Sequence, residues 1–378
     1  MAALTEEQSI IRDQAKAWVE EKAPVQQFRA VRDSSAAERF SPTTWQEIVA
    51  LGWAGMIVPE EYGGSGLGFA AFGLVLEEMG KQLVASPLFA SGLVGASAIL
   101  LGGNEAQKQA HLPAIARGES IVTLAVDEGP RHAPANTALT AEKSGNTFTL
   151  SGEKTFVMEG MTADTFITAA RTSGASGETA GITLFLVPAS AGGVSRTAIG
   201  TFDSRGYARV TFDNVKVSAD AVLGSVDQGW PILDATLNRA AAGLSAEMLG
   251  TASHAFDMTL DYLKTRKQFG QLIGSFQTLG HRAASLYSGA ELARSCMEAA
   301  LQAIDDGAVD APELCSLAKA KMGDHLFEMS NQLIQIHGGI GMTDEFDAGL
   351  YLKRARVVEA AFGNRAFHRD RYARLLGF

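Results

Sequence analysis

The sequence predicts an α+β protein with an N-terminal helical domain, a middle antiparallel β domain and a C-terminal four-helix bundle. Three observations predict it. Apolar residues recur at intervals of three and four through the first third of the chain. They alternate with period two through the middle, where Gly, Asn and Ser clusters punctuate short runs. Beyond Trp230 the helical period returns in four long stretches. We place the boundaries at 1–112, 113–223 and 224–378.

In the first region the helical stripe runs through Ile10, Ile11, Ala15, Trp18 and Val19, then Trp45, Ile48 and Val49, then Phe72, Leu74, Val75 and Met79. The loop from Pro59 to Gly66 interrupts it. The middle region carries Phe148–Leu150, Thr155–Val157, Ile182–Val187 and Arg209–Phe212 as strands, which together predict a small sheet or barrel. The last region predicts helices over Pro231–Lys267, Ser275–Asp305, Ala311–Gln335 and Gly349–Leu376, enough for a bundle.

A chain of 378 residues exceeds one ordinary core and calls for two or three packed units. Its 46% hydrophobic and 20% charged content describes a soluble globular protein. The formal net charge of -10 argues against nucleic acid or an anionic membrane as principal partner, since both demand a basic surface. No eighteen-residue apolar run occurs, and Met1 to Ala30 mixes acids with short apolar stretches, unlike a signal or transit peptide. The expected location is cytoplasmic. Cys296 and Cys315 lie in predicted helices and read as buried thiols, and the seven histidines show no metal-ligand spacing.

Several residues stand out for their chemistry. Arg266 ends a long helix before a glycine turn, so its planar guanidinium is available to a diphosphate; a helix-ending arginine also answers the helix dipole. Gln335, Gly338 and Gly339 fall where a helix gives way to a loop, and bare backbone there can approach a nucleotide or simply cap the helix. Phe156 is an inward core aromatic by alternation alone, or a stacking surface. Glu247 is a single acid in the small-residue helix Gly243–Gly250, with Gly243, Gly250 and Thr251 three or four residues away and no Lys or Arg between Ala240 and His254. Small neighbours leave room for a substrate beside the carboxylate. The alternative is a solvated or inter-subunit acid.

Four motifs carry a resemblance along essentially the whole chain. They are Tyr262–Gly270 followed by Ile273–Gln277, then Gln335–Gly341, Pro59–Gly64 and Ser151–Val157. In combination they resemble the acyl-CoA dehydrogenase family. The wording Ala246 Glu247, Met342–Phe346 and Lys353 Arg354 is similar to the pimeloyl-CoA dehydrogenase small-subunit branch, whose members often work as one half of a mixed pair.

The resemblance implies FAD as cofactor. It places Arg266, Gln268 and Phe269 against the FAD of a neighbouring subunit, with Gln335, Gly338 and Gly339 beside the nucleotide. It sets Leu124, Val126, Phe156 and Val157 around the flavin ring and Asn364 near the cofactor. Phe362 stands where the family usually carries its proton-abstracting glutamate, and its backbone N–H would still polarise the thioester carbonyl. Glu247 then becomes the base, as in some subfamilies, ahead of Glu128, Glu159 and Glu359. The small Ala361 hints at a bulky acyl group. The segment Asp127–Pro134 departs from the family pattern, with Asp127 at the place of a hydroxyl that would bond the flavin edge.

The implied reaction converts an acyl-CoA thioester to the 2-enoyl-CoA, with an electron-transfer flavoprotein as acceptor and a homotetramer or α2β2 heterotetramer as the assembly. The alternative is a structural or cofactor-clamping subunit with no flavin in its own ring pocket. A changed reaction, such as an oxidase or desulfinase, is disfavoured by the retained Glu247.

Overall fold

The computed structural model describes residues 4–378. Helix α1 (Glu6–Lys22) begins at a reciprocal cap in which Thr5 and Gln8 satisfy each other's backbone N–H groups. Helices α2 (Val25–Asp33) and α3 (Pro42–Ala50) follow, the second capped by the Ser41 hydroxyl with Pro42 at its first position. The Pro59–Gly66 loop is tight: a Cβ on Gly64 would lie 2.0 Å from the Val58 carbonyl oxygen. Helix α4 (Gly68–Lys81) has its first N–H groups, those of Phe69 and Ala70, bonded to the Asp305 carboxylate at 2.7 and 2.8 Å. A π-helical stretch, Leu88–Gly95, leads into α5 (Ala96–Gly102) and α6 (Glu105–Ala116).

Eight strands form one open sheet: β1 (Val122–Ala125), β2 (Thr140–Ser144), β3 (Thr147–Met158), β4 (Thr165–Arg171), β5 (Ile182–Pro188), β6 (Val194–Ile199), β7 (Tyr207–Ser218) and β8 (Val222–Leu223). Their order is β6-β7-β3-β2-β4-β5-β8, with β1 pairing β4. The pairing is antiparallel except that β1 runs parallel to β4 and β2 meets β4 in parallel at a single residue pair. The expected alternation fails in the centre. Every residue of β4 and all of β5 before Pro188 are buried, because these strands are covered on both faces. Alternation survives in β7.

Helix α7 (Trp230–Thr265) is followed by a two-residue pairing of β9 (Lys267–Gln268) with β10 (Gln271–Leu272), then α8 (Gln277–Asp305), α9 (Ala311–His337), α10 (Ala348–Ala360) and α11 (Arg365–Leu375). The single helix expected over Gly349–Leu376 is therefore two helices. Ala361 turns extended, and Phe362 and Gly363 both take left-handed φ, +53° and +96°, which ends one helix and redirects the chain into the next. No helix among the described residues is long and apolar enough to cross a membrane. Neither cysteine is in a disulfide; Cys315 is buried and Cys296 half-buried.

The chain packs as two compact units. The helical unit holds residues up to 29, 69–84 and 241–378; the β unit holds 30–68 and 85–240. The N-terminal helices are thus divided between the two. In the β unit Phe148 and Phe185 meet edge to face, with centroids 5.1 Å apart, and fill the interior with Phe166 and Phe212. In the helical unit α4 and α7 approach backbone to backbone: a Cβ on Gly250 would lie 1.8 Å from the Glu77 carbonyl oxygen, and one on Gly80 would lie 2.2 Å from that of Glu247.

Candidate functional site

In the helical unit the chain leaves α7 through Arg266, whose N–H bonds the Tyr262 carbonyl. A two-residue turn of Phe269 and Gly270, at φ +53° and +81°, closes the β9–β10 hairpin. A phenylalanine in the left-handed region is strained, and here its ring is also 93% exposed. Arg266 is exposed, and its guanidinium makes no hydrogen bond or ion pair among the described residues. The Gln268 amide reaches only the carbonyl of its neighbour Lys267, at 2.8 Å.

At the end of α9, Gln335 is likewise exposed with no side-chain partner among the described residues. Gly338, at φ +62° and ψ -134°, adopts a backbone closed to other residues. Gly339 has no such need, and a Cβ on it would meet nothing within 4 Å. Its bare backbone faces outward.

These two segments are mechanically joined. The Tyr262 ring stacks on His337 with centroids 4.4 Å apart, and Phe346 lies 4.7 Å from the same imidazole on a tilted ring. Leu263, Ile273, Ala283 and Ile336 form the apolar cluster beneath, with Tyr262 and Phe276 packed on it. Burial pushes the His337 pKa down, while its Nδ1 hydrogen bond to the Leu333 carbonyl oxygen, at 2.8 Å, opposes that. The sequence motifs included His337 but gave no sign that it was the keystone.

Glu247 lies in the interior of α7, 7% exposed. Arg354 of α10 donates to its Oε1 from Nε at 2.9 Å and from Nη2 at 2.6 Å. The absence of nearby Lys or Arg along the helix did not foretell this partner, which comes from 107 residues away. Two of the small residues beside Glu247, Gly250 and Thr251, are also accounted for. Gly250 and Gly80 let α4 and α7 touch, and the Thr251 hydroxyl bonds the Gly80 carbonyl at 3.3 Å. That face of α7 is a helix-packing seam.

Phe362 is half-buried at the kink between α10 and α11, and its carbonyl accepts from His368 Nε2 at 2.9 Å. The fully buried Lys319 holds the kink from below, donating to the carbonyls of Val358, Glu359 and Gly363 at 3.1, 2.9 and 2.9 Å. Burial pushes its ammonium down to about 7, with the Glu359 charge pulling the other way. Asn364 uses its side-chain oxygen to cap α11 at the Phe367 N–H, 2.9 Å away. Glu359 accepts from the Arg365 N–H at 3.1 Å.

The β unit places the remaining expected residues. Phe156 sits at φ +51° and is 44% exposed, so it is not the inward core aromatic that alternation allows. Leu124, Val126 and Val157 have buried side chains, which leaves only their backbone groups for contact with a ligand. The Asp127 carboxylate is engaged locally, with His132 Nδ1 at 2.9 Å and the Ala133 N–H at 3.3 Å. Glu128 binds the N–H groups of Ala138 and Leu139, and Glu159 is buried.

Three family models match consecutive parts of the chain: the acyl-CoA dehydrogenase N-terminal domain over residues 5–119, the middle domain over 127–215 and the C-terminal domain over 227–377. A probable acyl-CoA dehydrogenase of Bacillus subtilis is 30% identical across 99% of this chain and 98% of its own length. The chain belongs to the acyl-CoA dehydrogenase family. Acyl-CoA dehydrogenases bind FAD and are flavin-dependent oxidoreductases. The three-domain fold is shared with the butyryl-CoA dehydrogenase of Megasphaera elsdenii, at a TM-score of 0.91 and 24% identity over 100% of this chain and 99% of that one. The ChsE4-ChsE5 complex of Mycobacterium tuberculosis matches at a TM-score of 0.89 and 25% identity over 99% and 98%.

The residues present fit this family's cofactor. An exposed guanidinium without a partner among the described residues suits a diphosphate, and an exposed phenyl ring with bare glycine backbone suits a nucleotide.

Proposed function

We propose that this chain serves the FAD-dependent conversion of an acyl-CoA thioester to the 2-enoyl-CoA as one subunit of an oligomer. The observation that carries the reading is the outward set of Arg266, Gln268, Phe269 and Gln335, presented by one apolar cluster: the Arg266 and Gln335 side chains have no partner among the described residues, the Gln268 amide reaches the Lys267 carbonyl beside it, and the Phe269 ring meets Phe276 edge to face. Such a set grips a cofactor held by a neighbouring subunit. Arg266 offers its fork to the diphosphate, and the Gly338–Gly339 backbone lies open to the nucleotide. Bound FAD supplies the acceptor for the β-hydride. Phe156 offers its face to the flavin ring, and the Phe362 N–H polarises the thioester carbonyl.

In this reading Glu247 removes the α-proton, since a buried carboxylate excludes water from the transfer. Proton abstraction then requires its contact with Arg354 to give way to substrate. An electron-transfer flavoprotein reoxidises the cofactor, and the assembly is a cytoplasmic homotetramer or mixed tetramer.

A second reading is favoured by the Glu247–Arg354 pair itself. A carboxylate oxygen already accepting two N–H groups from arginine is occupied, so the chain could act purely as the cofactor-clamping half of a mixed assembly. The flavin-to-protein ratio of the purified chain, followed by anaerobic addition of acyl-CoAs, separates the two. One flavin per chain that bleaches with a thioester, and loss of bleaching in Glu247→Gln with flavin retained, supports the first. A colourless chain that gains flavin only with a partner supports the second. Arg266→Ala binding FAD as tightly as the parent in the assembled protein would sink both.

A further inference from the structure

We propose that Lys154 is a positioning residue: its buried ammonium ties the segment Val126–Glu128 to β3 and thereby holds the bulge that turns Phe156 outward. The inference deepens the cofactor reading above and rests on it for the purpose of the exposed ring.

Phe156 stands in a bulge. The β3–β7 register passes from Lys154 opposite Val210 to Val157 opposite Ala208, so Thr155 and Phe156 together face the single residue Arg209. An aromatic residue at left-handed φ with its ring partly in solvent is unfavourable on both counts, and such a conformation persists only where surrounding contacts over-determine it.

Those contacts lie immediately before the bulge. Lys154 Nζ donates to the Val126 carbonyl at 2.9 Å and to Glu128 Oε1 at 2.6 Å. The Thr155 N–H donates to the Asp127 carbonyl at 2.7 Å. Three consecutive residues, 126 to 128, are therefore tied to two consecutive residues of β3. Glu128 extends the tie, accepting from the N–H groups of Ala138 and Leu139 just where β2 begins. Asp127 is fixed in turn by His132 and the Ala133 N–H.

Lys154 is 0% exposed, in a unit whose other interior positions are mostly apolar. Burial pushes its pKa down and Glu128 acts against that shift. An apolar side chain would fill the volume without bridging Val126 to Glu128. The ammonium makes that bridge.

The test uses the full chain in its flavin-loaded assembly. Lys154→Met removes the donor at similar length, and Lys154→Met with Glu128→Gln removes the charge left behind. Leu184→Ala on β5 supplies a control destabilised by a cavity away from the bulge. Hydrogen exchange by mass spectrometry is read on peptides spanning 124–130 and 153–160, and FAD affinity by titration.

Both Lys154 variants are expected to exchange faster at those two peptides alone and to bind FAD at least tenfold more weakly, while Leu184→Ala keeps parental FAD affinity. Unchanged exchange at both peptides, unchanged FAD affinity, or acceleration spread over the whole β unit overturns the proposal. A parent chain without flavin in any assembly sinks the functional reading instead. The exchange of the two peptides still decides whether Lys154 braces the bulge.

Discussion

Arg354 on α10 and Glu247 on α7 share two hydrogen bonds in the interior of the helical unit, both to one carboxylate oxygen. Their side chains are 8% and 10% exposed, so neither charge is well hydrated. Removing one partner strands the other, which for buried pairs costs about 3–5 kcal/mol, whereas replacing both by apolar residues is often near neutral. We expect Arg354→Met to lower stability by about 3 kcal/mol or more, and Glu247→Leu with Arg354→Met to recover most of the loss. Urea unfolding of the four proteins in the cycle measures it. Parental midpoints in both single variants would show that the pair bears no structural load.

The contact between α4 and α7 leaves no room at Gly250. A methyl group there would overlap the Glu77 carbonyl oxygen, which belongs to the backbone and cannot swing aside. Gly250→Ala is expected to destabilise by about 3 kcal/mol despite the higher helix propensity of alanine. A rise in melting temperature in this variant would contradict the seam.

Phe269 makes the opposite case, because its 93% exposed ring gains little inside the chain beyond an edge-to-face contact with Phe276 at 6.2 Å. Asn followed by Gly is the favoured sequence for a turn with two left-handed residues. Phe269→Asn should raise the stability of the isolated chain by about 0.5 kcal/mol and weaken FAD binding in the assembly. Thermal melts and flavin retention on gel filtration read the two effects separately; a loss of both would show that the ring supports the fold.

His325 gives the acid limb of stability. Burial pushes its pKa down to about 4 from an ordinary 6.5, against the raising influence of Glu328. Below pH 6.5 the unfolded chain takes up a proton that the native imidazole refuses until about pH 4. Stability is therefore lost as pH falls through that window, by about 3 kcal/mol at most for such a shift. His325→Gln should flatten the dependence between pH 6.5 and 4. Unfolding curves of parent and variant with equal slopes across that window would remove His325 from the account.

Much of the architecture was legible because period and punctuation are local. The helical, β, helical order and the ends of α8 and α9 lie close to where hydrophobic spacing and the turn residues between segments put them. The positions of Arg266 and Gln335 at helix ends were legible too, since helix ends are written in sequence. What escaped was long-range. Nothing near Glu247 announces Arg354, and the run from Gly349 to Leu376 keeps a helical pattern across the break at Phe362, where the backbone turns left-handed. Strands β4 and β5 lost their alternation to neighbours that only the fold supplies. Lys154 sat inside a quoted motif, yet its buried role depends on Glu128, 26 residues earlier.

The stacking of Tyr262 on His337 makes the hairpin after α7 and the loop after α9 a single mechanical part. Under the proposed clamping role, loss of the stack would slacken both loops together, so cofactor release on heating should be all-or-none rather than stepwise. Under the same proposed role, an engineer seeking to alter nucleotide preference through Gln335 would have to redesign Arg266's surroundings in the same stroke, because neither loop can be retuned while the other stays still.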